Sequence, residues 1–177
     1  MSETKHIDIE GLKKGDNKEF SLLIDLHAEK VFNLLRGLLR NETEAEDLTQ
    51  EVFTTVFLTI SQFKGDSKLS TWIYRISVNE SLTFLKKKRT KFFIPIHNIE
   101  KEMADKIDAG EHFSGDEIEK KFQKALLTLP EKQRIVFNLR YYDEMPYEEM
   151  SKVLGTSVGA LKASYHIAAK KMEENLL

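Results

Sequence analysis

The chain has 177 residues, a formal net charge of −2, 41% hydrophobic and 32% charged residues, and no cysteine. That length suits one ordinary domain or two small ones with modest cores, and the missing thiols exclude a disulfide framework or a thiolate metal site. No run approaches the roughly 18 apolar residues of a membrane span, and Met1 to Gly15 is too polar for a signal peptide, so a soluble cytoplasmic protein without membrane insertion is expected.

Helical periodicity dominates and no segment alternates over a strand length. The first long helix is expected over Asn17 to Arg40, where Phe20, Leu23, Ile24, His27, Val31, Leu34, Leu35 and Leu38 recur at three- and four-residue steps. A second opens at Thr43, with Thr43-x-x-Glu46 as a capping box, and buries Leu48, Val52, Phe53, Val56, Phe57 and Ile60. Gly65-Asp66-Ser67 breaks the pattern, and a third helix follows from about Ser70 to Arg89. From Thr90 to Gly115 the periodicity fades around Pro95 and two glycines, which reads as a linker. Helix resumes at the capping box Ser114-x-x-Glu117 and runs to about Leu129. Pro130 stands where the next helix takes its first residue, and that helix continues from Glu131 to Tyr142. Pro146 opens a short helix, Tyr147 to Leu154, which stops at Gly155; Thr156-Ser157 then caps a last helix reaching about Glu174.

Three clusters stand out. Asp47, Gln50, Glu51 and Thr54 fall on one side of the second helix, a face that is either solvated or a contact surface. From Lys64 to Lys91 there are eight basic residues (Lys64, Lys68, Arg75, Lys86, Lys87, Lys88, Arg89, Lys91) against Asp66 and Glu80, a surplus of six. That is the charge footprint of a nucleic-acid surface, although a terminal Lys/Arg group also complements the helix dipole. Phe63, Trp72 and Tyr74 lie in this segment, where exposed rings would stack single-stranded bases; core packing is expected to claim at least one of Trp72 and Tyr74. Finally, the short helix, the Gly155 turn and the last helix form a helix-turn-helix pattern. Leu161, Tyr165, Ala168 and Met172 make the buried side of the last helix, opposite Ala160, Lys162, Ala163, Ser164, His166, Ile167, Lys170 and Lys171. Small residues permit close approach to a groove and lysines neutralise phosphates; an ordinary helical hairpin with solvated lysines is the competing reading.

Taken together, the residues resemble the extracytoplasmic-function (ECF) sigma factors of bacterial RNA polymerase. Ala45-Glu46-Asp47-Leu48-Thr49-Gln50-Glu51-Val52-Phe53 resembles the family's polymerase-binding segment. Ser70-Thr71-Trp72-Ile73-Tyr74-Arg75-Ile76-Ser77-Val78-Asn79 resembles its promoter-melting, −10-reading helix. Leu129-Pro130 with Gln133-Arg134-Ile135-Val136-Phe137 resembles the start of sigma domain four, and Tyr147 to Gly155 followed by Ser157-Val158-Gly159-Ala160-Leu161-Lys162 resembles its −35-binding helix-turn-helix.

The resemblance implies an all-α fold of two small helical domains joined by a flexible linker: a tail at 1–15, a three-helix sigma domain two at 16–91, an acidic linker at 92–115 and a four-helix sigma domain four at 116–177. Asp47, Gln50, Glu51 and Thr54 would meet the clamp coiled coil of the polymerase β′ subunit. Phe63, Lys64, Ser70, Thr71, Trp72, Arg75, Asn79, Lys86, Lys87, Lys88 and Arg89 would hold the melted −10 strand. Ser157, Ala160, Lys162, Ala163, Ser164, His166, Ile167, Lys170 and Lys171 would read the −35 element, while the preceding helices meet the β flap. Core polymerase and promoter DNA are the expected partners, with an anti-sigma factor as a further candidate. No cofactor, metal or catalysis is implied. Ser164 and Ile167 stand where the family often carries arginine; arginine is the commonest reader of guanine, so an A·T-leaning −35 preference is expected.

Rival readings stay open on the residues alone. A helix-turn-helix repressor or activator explains Tyr147 to Lys171 but gives no purpose to Ala45 to Phe53, and a protein-sequestering module leaves Lys86 to Lys91 unused. An enzyme is disfavoured because His6, His27, His97, His112 and His166 are scattered without metal-ligand spacing. Residues 98–119 hold eight acidic residues (Glu100, Glu102, Asp105, Asp108, Glu111, Asp116, Glu117, Glu119) against Lys101 and Lys106, which makes them either a solvated linker or a shield for the basic face.

Overall fold

The computed structural model describes residues 7–92, 104–105 and 117–176. Every regular element among them is helical: α1 (Ile9–Lys13), α2 (Asn17–Leu39), α3 (Glu42–Thr59) running into a 3-10 turn (Ile60–Gln62), α4 (Leu69–Phe92), α5 (Glu117–Leu127), α6 (Glu131–Tyr141), α7 (Tyr147–Leu154) and α8 (Val158–Leu176).

Local chemistry explains most boundaries and corrects several expectations. Part of the expected polar tail is helix α1: its first turn is capped by Asp8, whose side chain accepts from the Glu10 N–H, and Leu12 is buried. The Asp8 N–H in turn donates to Glu19 Oε2 at 2.8 Å, tying α1 to α2. The α3 cap is Asn41, not Thr43: Asn41 Oδ1 accepts from the Glu44 N–H at 3.0 Å. An amide oxygen two residues upstream thus takes the role assigned to the hydroxyl. Pro130 lies just outside α6 with extended backbone (ψ 143°), and its carbonyl accepts the first helical bond, from the Arg134 N–H at 2.9 Å. Ser157 caps α8 as expected, its Oγ accepting from the Ala160 N–H. The Ser114 capping box lies outside the described residues.

The N-terminal half is a bundle of α2, α3 and α4 closed by α1. Leu12, Leu23, Val31, Leu35, Leu39, Leu48, Val52, Val56, Ile60 and Ile73 make its core. Removal of each such aliphatic side chain from water contributes about 1.5–3 kcal/mol, an upper figure because denatured chains are partly collapsed. In the C-terminal half α8 packs across α5 and α6. Phe137 is sandwiched between Tyr141 (5.1 Å) and Tyr165 (5.6 Å), both rings near parallel to it, over Leu126, Leu129, Ala168 and Met172.

The two halves touch. Leu34 and Leu38 of α2 and Tyr74 and Val78 of α4 share one buried cluster with Val136, Leu139, Met145, Met150, Val153 and Leu161. Helices α2 and α4 therefore each carry two apolar stripes, one turned into their own bundle and one turned toward the opposite half.

Candidate nucleic-acid and protein interfaces

Helix α3 presents Asp47, Gln50, Glu51 and Thr54 side by side, all exposed, around one shallow depression completed by Thr55. The spacing alone places them together, since residues three, four and seven apart stack on one helix face. Thr54 Oγ donates back to the Gln50 carbonyl at 2.9 Å, which leaves the two carboxylates and the Gln50 amide to meet a partner. Phe57 and Leu58 continue this surface while 43% and 70% exposed, an apolar extension that the residue pattern had assigned in part to the core through Phe57.

The basic aromatic segment divides into surface and scaffold. Arg75, Asn79, Lys86 and Lys87 are exposed along α4, and Lys64 is exposed in the loop before it, with Ser70 half-buried at the start of α4. Two expected strand contacts are instead buried: Phe63 is 4% exposed and Thr71 is 4% exposed. Phe63 turns inward because it packs on Trp72, their ring centroids 5.5 Å apart. Phe63 thereby fixes the half-buried Trp72, an indirect part in the surface. Lys88 is likewise engaged, its Nζ 2.6 Å from Glu44 Oε1 in a half-buried pair. The Arg89 side chain lies outside the described residues. Tyr74 is the aromatic that goes to packing; its hydroxyl lies 3.4 Å from Asp143 Oδ1 of the opposite half, and burial, then Asp143, push it above the ordinary tyrosine range.

The last helix keeps its expected polarity. Ala160, Lys162, Ala163, His166 and Lys170 are exposed, Ile167 is 46% exposed and Ser164 is half-buried. Ser157 is exposed but acts as the helix cap. Lys171 departs from the set: its ammonium donates to Gln133 Oε1 at 3.3 Å, stapling α8 to α6. Lys162 lies over the Tyr147 ring at 5.8 Å, and Arg140 lies over that same ring at 5.2 Å. Tyr147, at the head of the first helix of the pair, thus meets one cation from the second helix (Lys162) and one from α6 (Arg140), a role no spacing rule signals. Of the acidic stretch 92–115, only the backbone of Phe92 and residues Ala104 and Asp105 are described. Among the described residues no three metal-ligating side chains gather, and no helix is long and apolar enough to cross a membrane.

With this geometry in place, likeness to known proteins is informative. The family model for Sigma-70 region 2 matches residues 23–91, and that for Sigma-70 region 4 matches residues 119–172. The ECF RNA polymerase sigma factor SigW of Bacillus subtilis is 30% identical over 95% of this chain and 94% of its own length. The ECF RNA polymerase sigma-E factor of Escherichia coli K12 is 26% identical over 99% and 97%. Among solved structures, CnrH in complex with the cytosolic domain of CnrY superposes with a TM-score of 0.70 at 21% identity, covering 95% of this chain and 94% of that one. The sigma factor RpoE of Bartonella quintana, solved with the anti-sigma factor NepR, gives a TM-score of 0.70 at 21% identity, covering 90% and 97%.

Proposed function

The chain belongs to the ECF RNA polymerase sigma factors, and from that premise we propose which surfaces carry each step of its work. It is an alternative sigma factor, a transcription initiation factor that joins core RNA polymerase to promoter DNA, and not a stand-alone helix-turn-helix regulator.

In our reading the α3 face of Asp47, Gln50, Glu51 and Thr54 binds the polymerase β′ clamp, with Phe57 and Leu58 as its apolar continuation. The exposed Lys64, Arg75, Asn79, Lys86 and Lys87, with the half-buried Ser70 and Trp72, hold the separated −10 strand. Cations neutralise its backbone while the indole offers a stacking face, worth about 1–3 kcal/mol per base. Lys162, His166, Lys170, Ala160, Ala163 and Ile167 on α8 enter the −35 groove, where Ile167 suits thymine methyls. The polymerase supplies all bond making, so the protein acts without a catalytic centre or cofactor of its own. It works in the cytoplasm, beside that enzyme, and an anti-sigma protein of the kind solved with the Bartonella factor is a fitting third partner.

The observation that carries this reading is the exposure of the four α3 side chains on the same bundle as the basic face of α4. Reconstituted transcription on a promoter library tests it. Glu51→Ala with Gln50→Ala is expected to lose core capture without loss of helicity, and the selected −35 elements are expected to be A·T-rich. A folded protein that directs no initiation at any defined start site would overturn the assignment; a G-rich −35 element would overturn the role given to Ile167.

A further inference from the structure

We propose that the cavity between α2 and the end of α6 is a binding site for a phosphorylated sugar, free or as part of a nucleoside monophosphate. The cavity lies at the polar edge of the seam where the two halves touch, an edge to which the Lys68–Glu149 pair also belongs. It encloses about 500 Å³, within the range of about 300–1,000 Å³ typical of small-molecule sites. Lys30, Arg36, Gly37 and Arg40 line its α2 wall, and Asn138 of α6 and Asp143 just past that helix line the facing wall. None of its lining side chains belongs to the polymerase or DNA surfaces described above.

The two walls differ in chemistry. On the α2 side Lys30 and Arg36 are exposed, and two cations at a cavity mouth suit a phosphate monoester, which carries about −1.5 to −2 charge at neutral pH. Arg40 adds a buried guanidinium that donates to Gln123 across the seam; its backbone is left-handed (φ 55°), a conformation that ordinarily selects glycine. The facing wall offers acceptors. The Asn138 amide nitrogen donates to the Gly37 carbonyl at 3.2 Å, while its Oδ1 is buried without a hydrogen-bond partner among the described residues. A buried acceptor without a donor bears the full desolvation of the group, so a ligand hydroxyl there is favoured. The Asp143 carboxylate meets the Tyr74 hydroxyl at 3.4 Å and keeps lone pairs for further donors. A ligand anionic at both ends is repelled by Asp143, and an uncharged sugar leaves the two cations unused. Phosphate at one end and hydroxyls at the other satisfy both walls.

Gly37 keeps this space open. It sits inside α2, where glycine is less favourable than alanine because it loses more backbone freedom on folding. Its backbone does not call for glycine, since among the described glycines only Gly15, Gly65 and Gly155 have positive φ. Packing does not call for it either: a Cβ at Gly37 would meet the Asn138 amide at 3.6 Å, an ordinary contact. That same Cβ would stand 3.6 Å from Asn138 Oδ1, in the approach to the unpartnered acceptor. The missing methyl therefore serves the cavity and not the helix.

The test is titration calorimetry on the full chain with four probes: ribose 5-phosphate, adenosine 5′-monophosphate, ribose and inorganic phosphate. Saturable one-to-one binding of at least one phosphorylated sugar is expected, about tenfold or more tighter than ribose or phosphate alone, as the loss of one charge-assisted contact predicts. Tighter binding of ribose 5-phosphate assigns the site to the free sugar phosphate, and tighter binding of the nucleotide assigns it to the nucleoside form. Gly37→Ala should weaken that binding by about tenfold or more, as loss of the contact at Asn138 Oδ1 predicts, while its denaturation midpoint stays at or above that of the wild type. Lys30→Gln with Arg36→Gln, both on exposed side chains, should reduce the phosphorylated sugar to the affinity of ribose. Absence of saturable binding to either phosphorylated sugar would overturn the site. Inorganic phosphate binding as tightly as both would overturn the role of the acceptor wall, and undiminished binding by folded Gly37→Ala would place the ligand elsewhere.

Discussion

The N-terminal core and the seam bury similar side chains but differ at their edges. The core joining α2, α3 and α4 is filled by Leu23, Val31, Leu35, Val52 and Val56 at or near zero exposure. The seam buries Leu34, Leu38 and Val78 nearly as fully, yet carboxylates, amides and cations frame it. A core without polar groups gains nothing by opening, whereas every polar group at the edge of a seam finds water when the halves part. The first belongs to the fold, the second to a contact that can be exchanged.

The strongest way to break this contrast is to damage both places alike. Leu35→Ala, in the bundle core, is expected to cost about 2–5 kcal/mol of unfolding free energy, seen as a lower denaturation midpoint of the N-terminal half. Val78→Asp, at the seam, is expected to cost less, because the halves can separate and hydrate the new carboxylate, so the loss is capped by the docking free energy. Calorimetry should then resolve two transitions where the wild type shows one. A Val78→Asp penalty as large as that of Leu35→Ala with a single transition would make the seam part of the core.

A smaller effect comes from pH. Burial raises the Asp143 carboxyl from 3.8 to about 6, with Tyr74 and Lys30 opposing part of that rise; Arg36 and Arg40 line the same cavity of about 500 Å³. The raised value belongs to the docked form, which therefore binds the proton more tightly than the parted form. Docking is expected to strengthen as pH falls through 6 toward 4, and to carry the full penalty of the carboxylate above 6. After discounting for its partial exposure the change is about 1 kcal/mol, measurable as a higher denaturation midpoint at pH 5 than at pH 7.5. Asp143→Asn should flatten the profile. The smallest effect is that of Arg40→Gly on the bundle, within about 1 kcal/mol of the wild type by chemical denaturation, since relief of the left-handed backbone offsets the lost contact.

Much of this architecture was legible in the residues. Periodicity located every long helix because each buries a stripe against a neighbour, and the spacing of Asp47, Gln50, Glu51 and Thr54 already placed them on one face. Cap identities were less legible: Thr43 and Asn41 both offer a side-chain oxygen, and only backbone geometry decides between them. Helix α1 is not legible in the residues because five of them show no period, and its burial depends on one leucine. Phe63 is placed among bases by the basic segment around it and Thr71 by the family resemblance, yet both are buried, and Phe63 serves the loop as its anchor against Trp72. The seam leaves a trace in the residues as well. Leu34, Leu35, Leu38 and Leu39 form a double stripe, wider than one bundle requires, and the second row is the half that meets Met150 and Val153.

Trp72 carries one more consequence. It is the only indole in the chain, half-buried against Phe63 at the base of the loop that Lys68 and Glu149 bridge. Its emission therefore originates from a single address, where polarity changes when Lys68 is released or a base stacks alongside. The unlabelled protein supplies its own optical gauge of that loop, and an oligonucleotide titration should register as a shift in emission maximum before any polymerase is added.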